Sequence, residues 1–379
     1  MKNKILIVFG TRPEAIKLTP IIKGLEKKKK LFNVKICITG QHDTLLYPIL
    51  DFFKINPHYN LKVMKNNQNL FYLTSKILDK ISKVLDIEKP DFVMVHGDTT
   101  TTFVASLSSF YKQIKLLHIE AGLRTNNIYS PYPEEFNRFF ASKLSFKHFS
   151  PTLENKKNLL KENIASKNIF VTGNTSIDTL KLTINSIKKS KIKNIKINSF
   201  LKKILKFNYN NDKFILFTVH RRENFGKGII NIFNAIKKIS ISNKNIHIIF
   251  PVHPNPNIRK ISKKYLNNIS NVHLIKPLNY EYFVYLLNKS YFVISDSGGL
   301  QEEAPFLSKP LIVLRDITER PAISKKQKSI IVGSNEKKII YYAQKLINNK
   351  QYYKKMSYKN RDYGDGNATK KIIRAIENL

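Results

Sequence analysis

Between Phe92 and Arg138 this chain gathers His96, Asp98, His118, Glu120, Arg124, Glu134, Glu135 and Arg138 beside short apolar runs, in a sequence elsewhere dominated by Lys, Asn and Ile. FVMV and LLHI each read as a short buried strand. Asp98 and Glu120 then fall just past strand ends, where open α/β sheets hold their ligands. Two carboxylates at neighbouring strand ends suit proton transfer to and from a substrate. The same letters admit a structural role, with Asp98 capping the helix that begins in the Thr run and Glu120 paired with Arg124.

Other motifs carry cationic or anion-binding chemistry. FGTRPEAIK, residues 9–17, follows a strand directly: Gly10 permits a tight turn, Thr11 or Arg12 can cap, and Pro13 suits the first helical turn. Arg12 then stands at the mouth of the sheet and Lys17 one turn into the helix, both able to meet an anion, although an ordinary strand-to-helix turn would use the same residues. HRREN, residues 220–224, follows the first strand of the second half, so His220 faces the ligand side with Arg221 and Arg222 as an anion clamp. PVHPNP, residues 251–256, repeats the arrangement with His253, where the prolines alone would explain a rigid loop. In SDSGGLQEEA, residues 295–304, a strand leads into Ser297, Gly298 and Gly299, whose backbone N–H groups can approach a phosphate at a helix start. Glu302 and Glu303 suit the helix dipole, and Glu303 can alternatively reach ribose hydroxyls. No GxGxxG fingerprint, Walker lysine pattern, HExxH, CxxC pair or EF-hand loop occurs, so the expectation is chemistry without cofactor or metal.

The elements that must position these residues alternate. KILIVFG, VKICITG, LKVM, DFVMVHG, IKLLHIE, KHFSP and NIFVTG read as strands with helical patterns between most of them. FILFTVH, NIHIIFPV, NVHLIKP, YFVISDS, LIVLRD and SIIVG repeat the scheme. Strands alternating with helices demand parallel sheets, because parallel neighbours need a crossover. The fold class is therefore α/β, with two Rossmann-like doubly wound domains facing a cleft lined by strand ends and helix N-termini. The expected divisions are residues 1–172, residues 173–364, and a tail of residues 365–379 that ends as a helix capped near Asn367 and crosses back onto the first domain. The stretch from Lys181 to Asn211 is expected to hold a helix and a solvated loop near the junction.

A chain of 379 residues is long enough for two cores, and its apolar fraction of 42% is that of a globular protein. The net charge of +39 invites a nucleic-acid reading. Against it, the lysines are spread through helices and loops with an equal excess of Asn and Ile, and no arginine- or aromatic-interleaved face stands out, so no nucleic-acid partner is expected. The single cysteine, Cys37, lies in an apolar run and suits a reducing compartment. The first apolar run is too short for a signal peptide, and no window approaches the ~18 uninterrupted apolar residues of a membrane helix, so a cytoplasmic protein without membrane insertion is expected.

Taken together, GTRPEAIK, VHGDTTTTFVASL, HIEAGLRT, YSPYPEEFNR, VTGNTSIDTL, HRREN, PVHPNPNIR, SDSGGLQEEAPFLSKP, RDITERPA and YGDG, in this order, resemble the non-hydrolysing UDP-N-acetylglucosamine 2-epimerases over nearly the whole chain. That family is similar in fold to the two-domain GT-B glycosyltransferases. The resemblance implies cytoplasmic interconversion of UDP-N-acetylglucosamine and UDP-N-acetylmannosamine by a homodimer without redox cofactor, feeding surface polysaccharides. The implied route is anti elimination of UDP to a 2-acetamidoglucal, then re-addition with the C2 proton delivered to the opposite face. Matched motif to motif, it implies Asp98, Glu120 and Glu134 as acid/base carboxylates, and His220, Arg12 and Lys17 as holders of UDP and leaving-group charge. It further implies Ser297, Gly298 and Gly299 for the diphosphate, Glu303 for ribose, Phe283 for the uracil side and Arg320 for the ligand pocket. A hydrolysing epimerase, an epimerase of a modified UDP-sugar, a GT-B glycosyltransferase and a non-catalytic UDP-sugar binder share parts of this pattern.

Substrate-activated relatives carry a second UDP-sugar site beside the active site. The resemblance places Gln41, His42, Gln68, Arg221 and His253 there, but Asp43 stands where an Arg is usual and Asn67 where an Arg often stands. A carboxylate replacing a cation near a diphosphate disfavours the anion, so activation by substrate is expected to be weakened or absent.

Overall fold

The computed structural model describes residues 2–40, 43–65, 68–316 and 329–379, without the side chains of residues 43–45 and Arg222. Seven strands form one sheet: β1 (Asn3–Phe9), β2 (Phe32–Ile38), β3 (Tyr59–Asn60), β4 (Phe92–His96), β5 (Lys115–Ile119), β6 (Lys147–Ser150) and β7 (Ile169–Val171), in the order β3-β2-β1-β4-β5-β6-β7. Six form the other: β8 (Phe214–Thr218), β9 (His247–Pro251), β10 (Val272–Ile275), β11 (Phe292–Ser295), β12 (Leu311–Val313) and β13 (Ser329–Ile331), in the order β10-β9-β8-β11-β12-β13. All pairings are parallel. Helices cover both faces of such sheets, which is why the central strands are continuous apolar runs; Ile5 through Phe9 are fully buried. LKVM is not a strand. The third strand is Tyr59–Asn60, and Leu61 and Val63 only donate single backbone hydrogen bonds to Ile38 and Thr39 beyond it.

Strand order reverses between β1 and β4 in the first sheet and between β8 and β11 in the second. At such a point the flanking connections run to opposite faces, leaving a crevice at the carboxyl ends. Each sheet carries its own core. Leu6, Val8, Val93 and Val95 pack with Ile77 and Ile81 in the first; Phe217, Phe233 and Phe250 centre the second. Fully burying each of those rings is worth roughly 1.5–3 kcal/mol.

The chain divides into two units, Met1–Lys181 with Tyr363–Leu379, and Leu182–Asp362. The divisions fall after Lys181 and before Tyr363 rather than at 172/173 and 364/365, and hydrogen bonding explains why. Helix Thr175–Lys189 begins in the first unit, where Asp178 accepts from the backbone N–H groups of Ala368 (3.2 Å) and Thr369 (2.9 Å). Asp178 therefore caps the last helix, Ala368–Glu377; Asn367 holds the N-cap position but its amide donates to Asp365 instead. Asn174 N–H donates to Tyr363 O at 2.6 Å, and helix Ala368–Glu377 packs on helix Arg12–Glu26. The lysine-rich stretch after Lys181 is largely helical, with Lys191–Ile204 burying Ile197 and Leu201 before a turn at residues 208–212. Among the described residues no helix is long and apolar enough to cross a membrane.

Candidate active site

In the first unit the loops after β1, β4, β5 and β7 converge on Glu120. This residue, the first past β5, has φ of +63° and is 8% exposed. Its Oε1 is ion-paired with Lys17 Nζ and accepts from Asn174 Nδ2 at 2.7 Å, while Oε2 lies 3.6 Å from His96 Nε2. The ammonium compensates the carboxylate's charge where little water reaches it. Gly97, with φ of +66°, turns the chain beside this carboxylate; a Cβ there would stand 3.4 Å from Glu120 Oε2. His118 Nε2 donates to Gly97 O at 2.8 Å and holds that turn from below.

Glu14 lies one turn before Lys17 on the same helix. Glu14 is 2% exposed; its Oε2 accepts from Gly10 N (3.0 Å), Thr11 N (2.8 Å) and Thr11 Oγ1 (2.8 Å), and its Oε1 from Thr99 Oγ1 (2.7 Å). Burial pushes its carboxyl up, with these hydrogen bonds opposing. Glu14 thus laces the turn after β1 to the turn after β4 across the reversal point. Thr11 is the N-cap of this helix, and Arg12, half-buried, is its first residue.

Asp98 is not a helix cap. Thr99 caps helix Thr100–Tyr111, its hydroxyl accepting from Thr102 N at 3.2 Å. Asp98 Oδ2 instead accepts from Arg138 Nε (3.1 Å) and Nη2 (2.5 Å), and Arg138 Nη1 donates to Glu135 Oε2 at 2.8 Å. Glu135 Oε1 accepts from the N–H groups of Thr125 and Asn126, so this acid is a strut for the loop. Glu134, half-buried beside it, opens helix Glu134–Leu144, the helix that carries Arg138. Arg124 pairs with Glu162, at 2.6 and 2.9 Å, and not with Glu120.

The second unit builds its own constellation at the β8/β11 reversal. Asp296, past β11, is fully buried; its Oδ2 accepts from His220 N (2.9 Å), Arg221 N (2.8 Å) and Asn224 Nδ2 (3.0 Å), and Oδ1 lies 3.0 Å from His220 Nδ1. Burial alone would raise its carboxyl, but the His220 side chain and the two backbone N–H groups outweigh it and hold it below the usual carboxylate range. With Nδ1 turned to Asp296, His220 presents Nε2 on the other side of its ring. His253 stacks on that ring, centroids 5.7 Å apart. Ser297 N donates to Ser295 Oγ at 2.9 Å, and a Cβ at Gly299 would meet nothing within 4 Å, leaving room for an anion before the helix Gly298–Phe306. Glu303 is buried in that helix and accepts from Tyr280 OH at 3.3 Å; Phe283 packs half-buried against the cluster that holds Phe214, Leu216 and Leu300. Gln68 Oε1, in the first unit, accepts from Lys65 N at 3.1 Å. Arg320, Gln41, His42 and Asn67 lie outside the described residues, and so does the side chain of Asp43.

Residues 24–377 match the family model described as UDP-N-acetylglucosamine 2-epimerase. The chain belongs to the UDP-N-acetylglucosamine 2-epimerase family. It is 50% identical over 376 residues to the UDP-N-acetylglucosamine 2-epimerase of Campylobacter jejuni, covering 99% of this chain and 98% of that one. The Escherichia coli K12 relative of the same description is 43% identical over 375 residues, with 99% and 98% covered. Among solved structures it is similar to the Neisseria meningitidis UDP-GlcNAc 2-epimerase bound to UDP-GlcNAc, at TM-score 0.93 and 46% identity over 99% of this chain and 100% of that one. The Methanocaldococcus jannaschii UDP-GlcNAc 2-epimerase in complex with UDP-GlcNAc and UDP matches at TM-score 0.85 and 33% identity, with 99% and 100% covered. The two-domain GT-B-like α/β architecture expected from the sequence is the one these epimerase-family structures share with this chain.

Sequence reasoning passed over four residues of these two constellations. Glu14 was readable as the third helical position of a capping box, Thr-x-x-Glu. Asp296 sits inside the SDSGG motif, but nothing in the letters says that it is buried beneath His220. Asn174 and Asn224 carry no local signal, since their partners are distant in sequence.

Two of the buried imidazoles of the first unit, His96 and His118, make a pH prediction. Burial pushes His96 down to about 4 and His118 down to about 3. An unfolded histidine titrates near ~6.5, so below that pH the unfolded chain takes up protons that the folded chain refuses. Their contribution is fully present above the unfolded value and is lost as pH falls toward the folded one. Unfolding free energy should fall as pH drops from ~6.5 to ~4, and His118→Gln, which keeps a donor for Gly97 O, should make that fall shallower. An unchanged slope in denaturant titrations across the window would contradict this.

Proposed function

We propose that this chain interconverts UDP-N-acetylglucosamine and UDP-N-acetylmannosamine by elimination and re-addition of UDP, without net hydrolysis. The observation that carries the reading is Glu120, a carboxylate past a strand end, charge-compensated by Lys17 and oriented by Asn174. The C2 hydrogen of the sugar is not acidic, so C1–O cleavage must run ahead and develop oxocarbenium character, which fixed carboxylates stabilise. Inversion needs proton carriers on two faces, and Glu120, Asp98 and Glu134 are the groups assigned to them. Arg12, Lys17 and His220 take UDP and leaving-group charge. Ser297, Gly298 and Gly299 take the diphosphate, Glu303 the ribose, Phe283 the uracil side, and Arg320 completes the ligand pocket. The protein acts as a cytoplasmic homodimer that supplies mannosamine-type sugars for surface polysaccharide.

Incubation with UDP-N-acetylglucosamine alone, followed by NMR of the anomeric proton, tests this. A second nucleotide-bound anomeric signal should grow to equilibrium without added NAD or divalent ion. Accumulation of free N-acetylmannosamine with UDP would instead favour the hydrolysing route, and no turnover despite tight UDP binding would favour a binding protein.

A further inference from the structure

We propose that the exposed face of helix Lys191–Ile204 docks the protein peripherally on an anionic lipid surface. This helix buries Ile197 and Leu201 in a cluster with Phe214, Leu216 and Leu286 and turns the opposite face outward. On that outward face Ile192 is 81% exposed and Ile195 56%, while Phe200, on the flank, packs its ring on Tyr282. Exposed lysines alternate with these side chains: Lys191, Lys196, Lys202 and Lys203, none of which makes an ion pair among the described residues. Positions 192, 195, 196, 199 and 203 share one side of a helix, so the apolar and cationic groups form a single ridge rather than scattered points.

Charge complementarity selects the occupant. Residues 179–211 contain nine lysines and no aspartate or glutamate, so nothing within the segment neutralises the ridge. A nucleic acid would answer the lysines, but has no use for two bare isoleucines standing out among them. A bilayer with acidic headgroups answers both, because ammonium groups lie at the headgroup level while short apolar side chains enter the acyl boundary. The contact is interfacial and needs no spanning segment.

The test is co-sedimentation of the full-length protein with vesicles of phosphatidylcholine, with and without phosphatidylglycerol. Binding should require phosphatidylglycerol. The Lys191→Gln, Lys196→Gln, Lys203→Gln triple variant should weaken partitioning roughly 100-fold, from the usual strength of a lysine near an acidic membrane. Ile192→Ser with Ile195→Ser should also weaken it while leaving epimerase turnover and thermal melting unchanged, since both side chains are exposed. A control of equal charge in the first unit, Lys27→Gln, Lys29→Gln, Lys30→Gln, should bind like the parent. Equal loss in that control, no preference for phosphatidylglycerol, or serine variants that bind normally would overturn the proposal. So would tighter retention on a single-stranded RNA that is insensitive to the serine changes.

Discussion

Glu120→Gln lowers kcat by ~10²-fold or more, the scale for losing a general acid or base, while UDP binding persists. Gln keeps the shape of the side chain and an oxygen for Asn174 Nδ2, so the geometry at the end of β5 is kept, although Lys17 loses its counter-charge and stability falls with it. What disappears is the ability to take or give a proton and the negative charge facing the developing cation. Asp98→Asn and Glu134→Gln should fall in the same range if they serve the C2 proton. A Glu120→Gln protein that melts early yet turns over normally would make this carboxylate a structural partner of Lys17.

Lys17→Met is the second large effect, and its main readout is stability. The two side chains of the pair are 11% and 7% exposed, so solvent screens them little. Removing one partner of a buried pair leaves an uncompensated charge, at a cost of about 3–5 kcal/mol, whereas replacing both can be nearly neutral. Lys17→Met alone should therefore be strongly destabilised in denaturant titrations. Lys17→Met with Glu120→Gln should recover most of that loss without recovering turnover. A single variant that costs under ~1 kcal/mol would place the pair among solvent-screened surface bridges.

The positions of Asp98 and Glu120 could be read from sequence because each lies just past a short apolar run, and Lys17 because Pro13 marks the first turn of its helix, all of which is local information. Partners could not. Arg124 lies at helical spacing from Glu120, but the chain between them is a turn, with φ of +63° at Glu120 and +90° at Gly122, so the helix rule for such pairs does not apply. The arginine reaches Glu162 instead, 38 residues on. The Asp98 capping alternative failed for a related reason: Thr99 takes the cap, which leaves the aspartate to Arg138 on a later helix. Asp178 shows the same limit at the scale of the fold. Its carboxylate caps a helix 190 residues further along, a fact that decides where the first unit ends and that no window of sequence contains.

Elimination through a glycal breaks the C2–H bond, whereas a route that leaves C2 untouched does not, so the fate of that hydrogen tests the account most directly. Wild-type protein incubated with UDP-N-acetylglucosamine in deuterated water should yield UDP-N-acetylmannosamine carrying solvent deuterium at C2, visible by NMR as loss of the C2 proton signal and collapse of its coupling to the anomeric proton. Product that retains the original hydrogen at C2 would contradict proton exchange through solvent-exchangeable carboxylates, and with it the roles proposed for Glu120, Asp98 and Glu134.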